Sequence, residues 1–195
     1  MSNKKLHYGF KAFAEHLSLR TRQKLSLQSW DRLDPLKLAK FLDIPIVTFL
    51  QLLESGLSER SLSRLLRERG PVSACTLLIG SNAYIAYNPN QPAGRRANSL
   101  AHELSHVLLN HDPETNVDEK RHRYWNGVAE AEATWLAGAL LVPRDGCIDI
   151  LRRNASIKDA AEHFDVSEAL FSWRMDETGV KKQLNRLMCY GTVEQ

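Results

Sequence analysis

The sequence predicts an α+β fold in which a small antiparallel sheet packs among helices. Two short apolar runs, 74–79 and 83–87, flank a Gly-Ser-Asn turn and predict the two strands of a hairpin. Apolar residues recur every three or four positions between 98 and 109, which predicts a half-buried helix. A second helical run at 128–141 is rich in alanine and leucine and ends before Pro143. These observations place a hairpin and two helices at the centre of the chain.

Helical regions are expected on both sides of this centre, and the whole chain is expected to form one compact unit. The three regions are a helical N-terminal region at 1–70, a core at 71–145 and a helical C-terminal lobe at 146–195. The N-terminal region includes a basic helix at 58–69. In the C-terminal lobe, the apolar spacing between 157 and 175 is typical of a helix-turn-helix.

The composition is that of an ordinary globular protein, with 43% hydrophobic and 25% charged residues. No apolar run approaches the length of a membrane span, and the first residues lack the apolar segment of a signal peptide. Three widely spaced cysteines, Cys75, Cys147 and Cys189, favour reduced thiols and a cytoplasmic location. The net charge of +3 is too small to indicate nucleic-acid binding by itself.

The most specific pattern in the chain is H-E-L-S-H, from His102 to His106. Residues four apart lie on the same face of a helix, so both imidazoles can point at one ion. Glu103 lies one step round the helix, where its carboxylate can reach a water on that ion. The motif therefore predicts a Zn²⁺ site with Glu103 as the general base, the arrangement found in zinc peptidases. Residues 98–99 are expected to cap the helix, and 110–113 to end it.

A zinc site with one position left for water needs a third protein ligand. Glu132 is the better candidate, because an acid among alanines and leucines is costly to bury unless it is paired or coordinated. Glu130 is the alternative, although an acid in the first turn of a helix is also typical of a solvated charge that stabilises the helix. Asp112 is less favoured, because Leu108 does not break the helix before it.

Several segments between about residues 80 and 145 together resemble the ImmA/IrrE family of metallo-endopeptidases. They are I-A-Y-N at 85–88, R-R at 95–96, S-L-A-H-E-L-S-H at 99–106 followed by His111, E-A-T-W-L-A at 132–137, and L-L-V-P at 140–143. The H-E-x-x-H motif alone is generic, but its combination with these later segments at this separation is specific. The chain departs from the family pattern at Asn98, Thr134 and Val142, none of which is a predicted ligand.

The resemblance implies a zincin-like, gluzincin-type metallopeptidase core with Glu132 as the third zinc ligand. It also implies an endopeptidase that cleaves a partner helix-turn-helix repressor of the Xre type. Cleavage would relieve repression in a stress, DNA-damage, mobile-element or phage-defence response, and single-stranded DNA is an implied activating ligand. No membrane is implied as a partner.

The alternative function is a DNA- or partner-binding transcriptional regulator with a structural or degenerate zinc site. The complete set of His102, Glu103, His106 and Glu132 counts against it, because a structural site fills all four positions with protein ligands and needs no general base.

Further donors are expected to stabilise the oxyanion or to contact the substrate. The candidates are Tyr124, His122, His111 and Arg96. A simpler interpretation of His111 is a histidine that binds free carbonyls at the end of a helix. For His122 and Tyr124 the simpler interpretation is exposure in a charged loop.

Cys147 is a candidate inhibitory ligand, since a thiolate could occupy the open zinc position, and an ordinary buried thiol is the alternative. Four arginines are candidates for nucleic-acid contacts: Arg60, Arg64, Arg67 and Arg95. A solvated face is the other interpretation of these arginines. In the C-terminal lobe only Arg174 could meet phosphate on the second helix, which favours a lobe that packs on the core over one that binds DNA.

Overall fold

The computed structural model describes residues 6–60, 62–63, 73–79, 82–111, 127–180 and 182–183. Eight helices and three strands have described bounds. In chain order they are α1 (Phe10–Lys24), α2 (Pro35–Phe41), β1 (Ile46–Thr48), α3 (Phe49–Glu54), β2 (Ala74–Ile79), β3 (Asn82–Tyr87), α4 (Ala93–Leu108), α5 (Gly127–Leu141), α6 (Arg144–Arg152), α7 (Ile157–Phe164) and α8 (Glu168–Glu177). The helices surround one small sheet, so the predicted α+β fold is confirmed.

In the part of the chain that the structure describes, no helix combines the length and the apolar character that crossing a membrane requires.

The three strands form one sheet in the order β1-β3-β2. Strands β2 and β3 pair antiparallel, with Thr76 opposite Ile85, which confirms the predicted hairpin. Strand β1 pairs parallel with β3, with Ile46 opposite Ile85, so the sheet is mixed rather than purely antiparallel as predicted. A pairing between such distant residues has no local sequence signal. Strand β2 is an edge of the described sheet and lies against α4.

Helix α5 is the centre of the packing. It contacts α4 and α1, and most of its residues are buried. Leu100 and Leu104 of α4 belong to the same core cluster as Leu136 and Leu140 of α5. A helix that is apolar around most of its circumference is expected to be enclosed by other elements. The packing of α5 therefore determines where its two acidic side chains, Glu130 and Glu132, point.

Two buried side chains of α1 bind the C-terminal end of α5. Ser18 Oγ donates a hydrogen bond of 2.6 Å to the Ala139 carbonyl. The Arg22 guanidinium donates to the carbonyls of Leu140 and Leu141, at 2.7 and 3.1 Å. Burial lowers the pKa of Arg22 to about 10, so the side chain stays charged at neutral pH. Arg22 therefore caps carbonyls that have no partner within the last turn of α5.

Helix α4 begins earlier than predicted. It starts at Ala93, directly after Pro92, whereas the sequence suggested a start at 98–99. Those two residues lie inside the helix, and the structure shows no side-chain cap. Proline suits the beginning of a helix, where no backbone N–H is needed, so Pro92 was the better start signal.

Helices α7 and α8 form the predicted helix-turn-helix-like pair, with Ser156 and Ser167 at their N-caps. Helix α8 packs on α5, where the rings of Trp173 and Trp135 lie 5.5 Å apart at 74°. A Cβ atom at Gly138 would lie 2.5 Å from the Trp173 ring, so this close approach of the helices depends on glycine.

Arg174, the only cation of α8, is fully buried. Its Nε donates to the Val142 carbonyl at 2.9 Å, and its guanidinium pairs with Glu15 of α1. The side chain is therefore not available to a DNA phosphate. The structure supports the interpretation that the lobe packs on the core.

Candidate metal centre

Helix α4 brings His102 and His106 onto one face, as the spacing predicts. Their Nε2 atoms lie 3.2 Å apart, and both rings are partly buried. Ser105, between them in sequence, points into the protein and donates to the Ala101 carbonyl at 2.7 Å. The helix thus divides its residues between a buried face and a face that presents two imidazole nitrogens to the same point.

The carboxylate that completes this group belongs to Glu130, in the first turn of α5. Its Oε2 lies 3.2 Å from His102 Nε2, and its Oε1 lies 3.6 Å from His106 Nε2. Glu132 does not reach these nitrogens by any described contact. The structure therefore groups Glu130, the alternative of the sequence analysis, with the two histidines, and the prediction of Glu132 as the third ligand does not match this grouping.

The distances between these three groups fit a small divalent metal. Zn²⁺ binds histidine nitrogen and carboxylate oxygen at about 2.0–2.2 Å in a tetrahedral arrangement, which separates neighbouring ligand atoms by about 3.3–3.6 Å. The three separations of 3.2, 3.2 and 3.6 Å lie at or close to that range. Two imidazoles and a carboxylate are also the donor types that Zn²⁺ accepts.

The electrostatics of Glu130 favour its charged form. Burial by itself would raise the pKa of this carboxyl, but hydrogen bonds and charge from His102 and His106 outweigh that effect and hold the pKa well below its usual range. The carboxylate is thus the anionic partner of the two imidazoles, the state in which it can bind a cation.

Glu103, the predicted general base, is held by the edge of the sheet. Thr76 of β2 donates to the same carboxylate oxygen twice, with its backbone N–H at 2.9 Å and its hydroxyl at 2.6 Å from Glu103 Oε2. Two donors on one oxygen fix the side chain in one orientation beside His102. Thr76 was missed by the sequence analysis, because nothing local links residues 27 positions apart.

The end of α4 places His111 against His106. The helix ends at Leu108, and Asn110 takes the left-handed conformation with φ 51°. Asn110 N–H then donates to the Val107 carbonyl at 3.0 Å, and His111 N–H donates to the His106 carbonyl at 2.9 Å. This is the pattern of a Schellman cap, for which asparagine is suited because it tolerates the left-handed region.

The His111 ring meets His106 on the side opposite the candidate ligand atom. Their Nδ1 atoms lie 3.0 Å apart, and His111 Nε2 lies 3.3 Å from Glu132 Oε2. Burial, with a further contribution from His106, lowers the pKa of His111 below its ordinary value despite the nearby Glu130 and Glu132. His111 is therefore neutral at physiological pH, and its ring contacts replace the predicted role of binding free carbonyls.

Glu132 lies next to His111, on the Nδ1 side of His106. It is only 7% exposed, as its apolar neighbours predict. Its Oε1 contacts His7 Nδ1 at 2.6 Å, and its Oε2 contacts His111. The buried acid is therefore paired, as the sequence argument required, but its described partners are histidines. His7 was missed because it precedes Glu132 by 125 residues.

An open apolar cleft of about 530 Å³ reaches the surface next to Glu132 and His111, which both line it. Phe10 and Phe13 of α1 form one wall, and Leu108 and Leu109 form another. The cleft is large enough for an amino-acid side chain. It lies beside the candidate centre because α1 and α4 both pack on α5.

Among the other predicted contact residues, the ones that the structure describes have no described contact with the centre. Arg96 donates to the Pro89 carbonyl at 3.2 Å, in the loop before α4. Arg95 is exposed and donates from Nε to Ser73 Oγ at 3.1 Å, and Arg60 is also exposed. Four candidates lie outside the described residues: Arg64, Arg67, His122 and Tyr124. The basic helix predicted at 58–69 lies mostly outside them as well.

Cys147 lies in an apolar core cluster with residues such as Phe164 and Phe171, and it is fully buried. Burial raises the pKa of its thiol to about 11, against an opposing effect of Arg174. At neutral pH it is therefore a protonated, inaccessible thiol. This placement in the core favours the alternative of an ordinary buried thiol over that of an inhibitory thiolate.

Comparison with known proteins identifies the family of this chain. A family model described as the IrrE N-terminal-like domain, Peptidase_M78, matches residues 47–176. Curated proteins give no significant match. The matched span runs from β1 to α8 and contains the H-E-x-x-H helix, Glu130 and Thr76. Since it covers well over half of the sequence, the chain belongs to the IrrE N-terminal-like family of peptidases, as its motifs predict.

Proposed function

We propose that this protein is a zinc-dependent endopeptidase that cleaves a partner helix-turn-helix repressor. The observation that carries the proposal is the convergence of His102, His106 and Glu130 beside a general base that Thr76 holds in place. A group built only for structure would not need the oriented Glu103 carboxylate.

The residues have separate tasks in peptide hydrolysis. His102, His106 and Glu130 would hold Zn²⁺, which when bound supplies a Lewis acid for the scissile carbonyl and lowers the pKa of a water. Glu103 takes a proton from the attacking water and passes it to the leaving nitrogen. Thr76 occupies Oε2 of Glu103, so Oε1 is the oxygen that carries this proton.

The sheet edge and the cleft are the natural sites for the substrate chain. An extended peptide can add to an edge strand such as β2 by backbone hydrogen bonds, and Thr76 lies on that strand. The apolar cleft between α1 and α4 would take one side chain.

The identity of the substrate rests on the resemblance to ImmA/IrrE proteins. It favours an Xre-type repressor whose cleavage relieves repression in a stress, DNA-damage, mobile-element or phage-defence response, in the cytoplasm. Single-stranded DNA is the proposed activating ligand, and exposed Arg95 and Arg60 are available to it. Helix α8 offers no cation to a DNA phosphate, because Arg174 is buried.

The test is to incubate zinc-loaded protein with the repressor encoded beside it, with and without single-stranded DNA, and to measure intact masses. The Glu103→Gln variant is the matched control, since it keeps the shape of the side chain but cannot take the proton. Cleavage by the wild type alone is expected, and a requirement for DNA would identify the activator. Zinc bound at one equivalent with no cleavage in any arm would reject the proposal in favour of a regulator.

A further inference from the structure

We propose that His111, Glu132 and His7 are positioning residues that support His106 from behind and raise the affinity of the centre for its metal. This inference rests on the proposed metal site, but its test does not depend on peptidase activity. It gives the buried acid Glu132 a role that is distinct from coordination.

The first argument is the proton inventory of the chain of contacts. A histidine that binds a metal through Nε2 carries its proton on Nδ1, and that N–H needs an acceptor. His106 Nδ1 lies 3.0 Å from His111 Nδ1, which can accept this bond when His111 carries its own proton on Nε2. That Nε2–H then donates to Glu132 Oε2 at 3.3 Å. Each contact thus has one donor and one acceptor. His106 donates to His111, and His111 donates to the Glu132 carboxylate.

The second argument is the rigidity of the arrangement. The Schellman cap fixes His111 by a backbone bond of 2.9 Å to His106, the residue whose ring it supports. The two rings meet edge to face, with centroids 5.1 Å apart at 66°. Backbone and side chain therefore restrict the same pair of residues, which orients the His106 ring before any metal arrives.

The third argument is the burial of Glu132. A buried carboxylate requires partners, and this one accepts from His111 and from His7 Nδ1 at 2.6 Å. It ends the chain as an anionic acceptor, which strengthens the bonds that precede it. His7 lies outside the residues that match the family model, so this last contact is an addition from the N-terminal segment of this chain.

The test measures Zn²⁺ affinity by competition with a chromophoric chelator for a matched pair at one position. His111→Phe keeps the ring but removes both nitrogens, and we expect it to weaken zinc binding about 10-fold to 100-fold. His111→Gln offers one acceptor and one donor and should recover part of that loss. Exposed His16 of α1 provides the control, since His16→Phe should leave the affinity unchanged.

Co²⁺ in place of Zn²⁺ separates support from coordination. The visible absorption of the Co²⁺ protein reports the number and type of ligands. Glu132→Gln should bind Co²⁺ several-fold more weakly yet keep the wild-type spectrum, whereas Glu130→Gln should change the spectrum.

A spectrum altered by Glu132→Gln would overturn the proposal and make Glu132 a ligand. A zinc affinity of folded His111→Phe within twofold of the wild type would also overturn it. If His111→Phe does not fold, Glu132→Gln decides the matter, because wild-type affinity in that variant excludes a supporting role. Failure to cleave any repressor, with these affinity differences intact, would reject the proposed function and leave this inference standing.

Discussion

Glu130 and Glu132 lie two residues apart on α5 and contact different histidines. Their side chains leave the helix about 200° apart. Glu130 meets the Nε2 atoms of His102 and His106, on the front of the centre. Glu132 contacts His111, which lies on the Nδ1 side of His106 (the back of the centre), and it has no described contact with His102 or His106. Two acids in one short segment thus have different partners, because different elements are packed against them.

The front and the back of the centre also differ in where their partners come from. The front is built from α4, α5 and β2, all within the residues that match the family model. The back adds His7, which lies outside that match. His111 and Glu132 also lie within the match, so His7 is the one contact among these residues that comes from outside it.

The largest effect is expected when the Glu130 carboxylate is removed from the front of the centre. Glu130→Gln should remove an anionic ligand and weaken zinc binding by more than about 100-fold, beyond the range expected for a supporting residue. Glu132→Gln should weaken it far less. Isothermal titration with Zn²⁺ measures both, and a larger loss in Glu132→Gln than in Glu130→Gln would reverse the assignment.

Next in size is the loss of the general base. Glu103→Gln should reduce the cleavage rate by about 10²-fold to 10⁴-fold, because no group remains to take the proton from water. Its zinc affinity should stay at the wild-type value, since Glu103 is not among the grouped ligands. Single-turnover cleavage followed by intact mass gives the rate, and unchanged cleavage would remove Glu103 from the mechanism.

A smaller effect is expected from a change in Thr76 of β2, which orients the general base Glu103. Thr76→Val keeps the shape of the side chain and the backbone bond but deletes the hydroxyl that donates to Glu103. A hydrogen bond to a charged group contributes about 1.5–3 kcal/mol, so kcat should fall about 10-fold to 100-fold with KM unchanged. Thr76→Ser keeps the hydroxyl and should retain most activity. Equal loss in both variants would indicate a structural defect instead.

The smallest expected effect is at Cys147, which belongs to neither side of the centre. Cys147→Ala should leave zinc affinity and basal proteolysis unchanged, because the thiol is buried in the core and protonated at neutral pH. In the native wild type this thiol should also resist alkylation at pH 8. An increase in basal proteolysis after the substitution would restore the inhibitory role.

The sequence predicted the parts of the centre that depend on one helix. His102, Glu103 and His106 follow from helical spacing alone, and the structure groups the two histidines as expected. The choice between Glu130 and Glu132 depends on the rotation of α5 against α4, which no local pattern encodes. Burial alone favoured Glu132, and the structure attributes that burial to its histidine partners and its place in the packing.

In the fold, too, features with a local sequence signal were predictable and contacts between distant segments were not. The hairpin and both central helices were predictable from periodicity and turn residues, and the start of α4 at Ala93 was readable from Pro92. The parallel pairing of β1 and the contact of Thr76 with Glu103 join distant segments. Such contacts depend on how the elements pack, which explains why composition and spacing did not reveal them.

The long sequence separation between α1 and α5 has a consequence for the protein during its synthesis. Ribosomes release the chain from its N-terminus, so His102, Glu103 and His106 emerge before Glu130. The Arg22 cap on Leu140 can form only after α5 has emerged, and closing so long a loop delays its formation. A nascent chain that stops at the end of α4 therefore carries the motif without the carboxylate that completes the centre. The proposed centre can therefore be completed only after most of the polypeptide has been made.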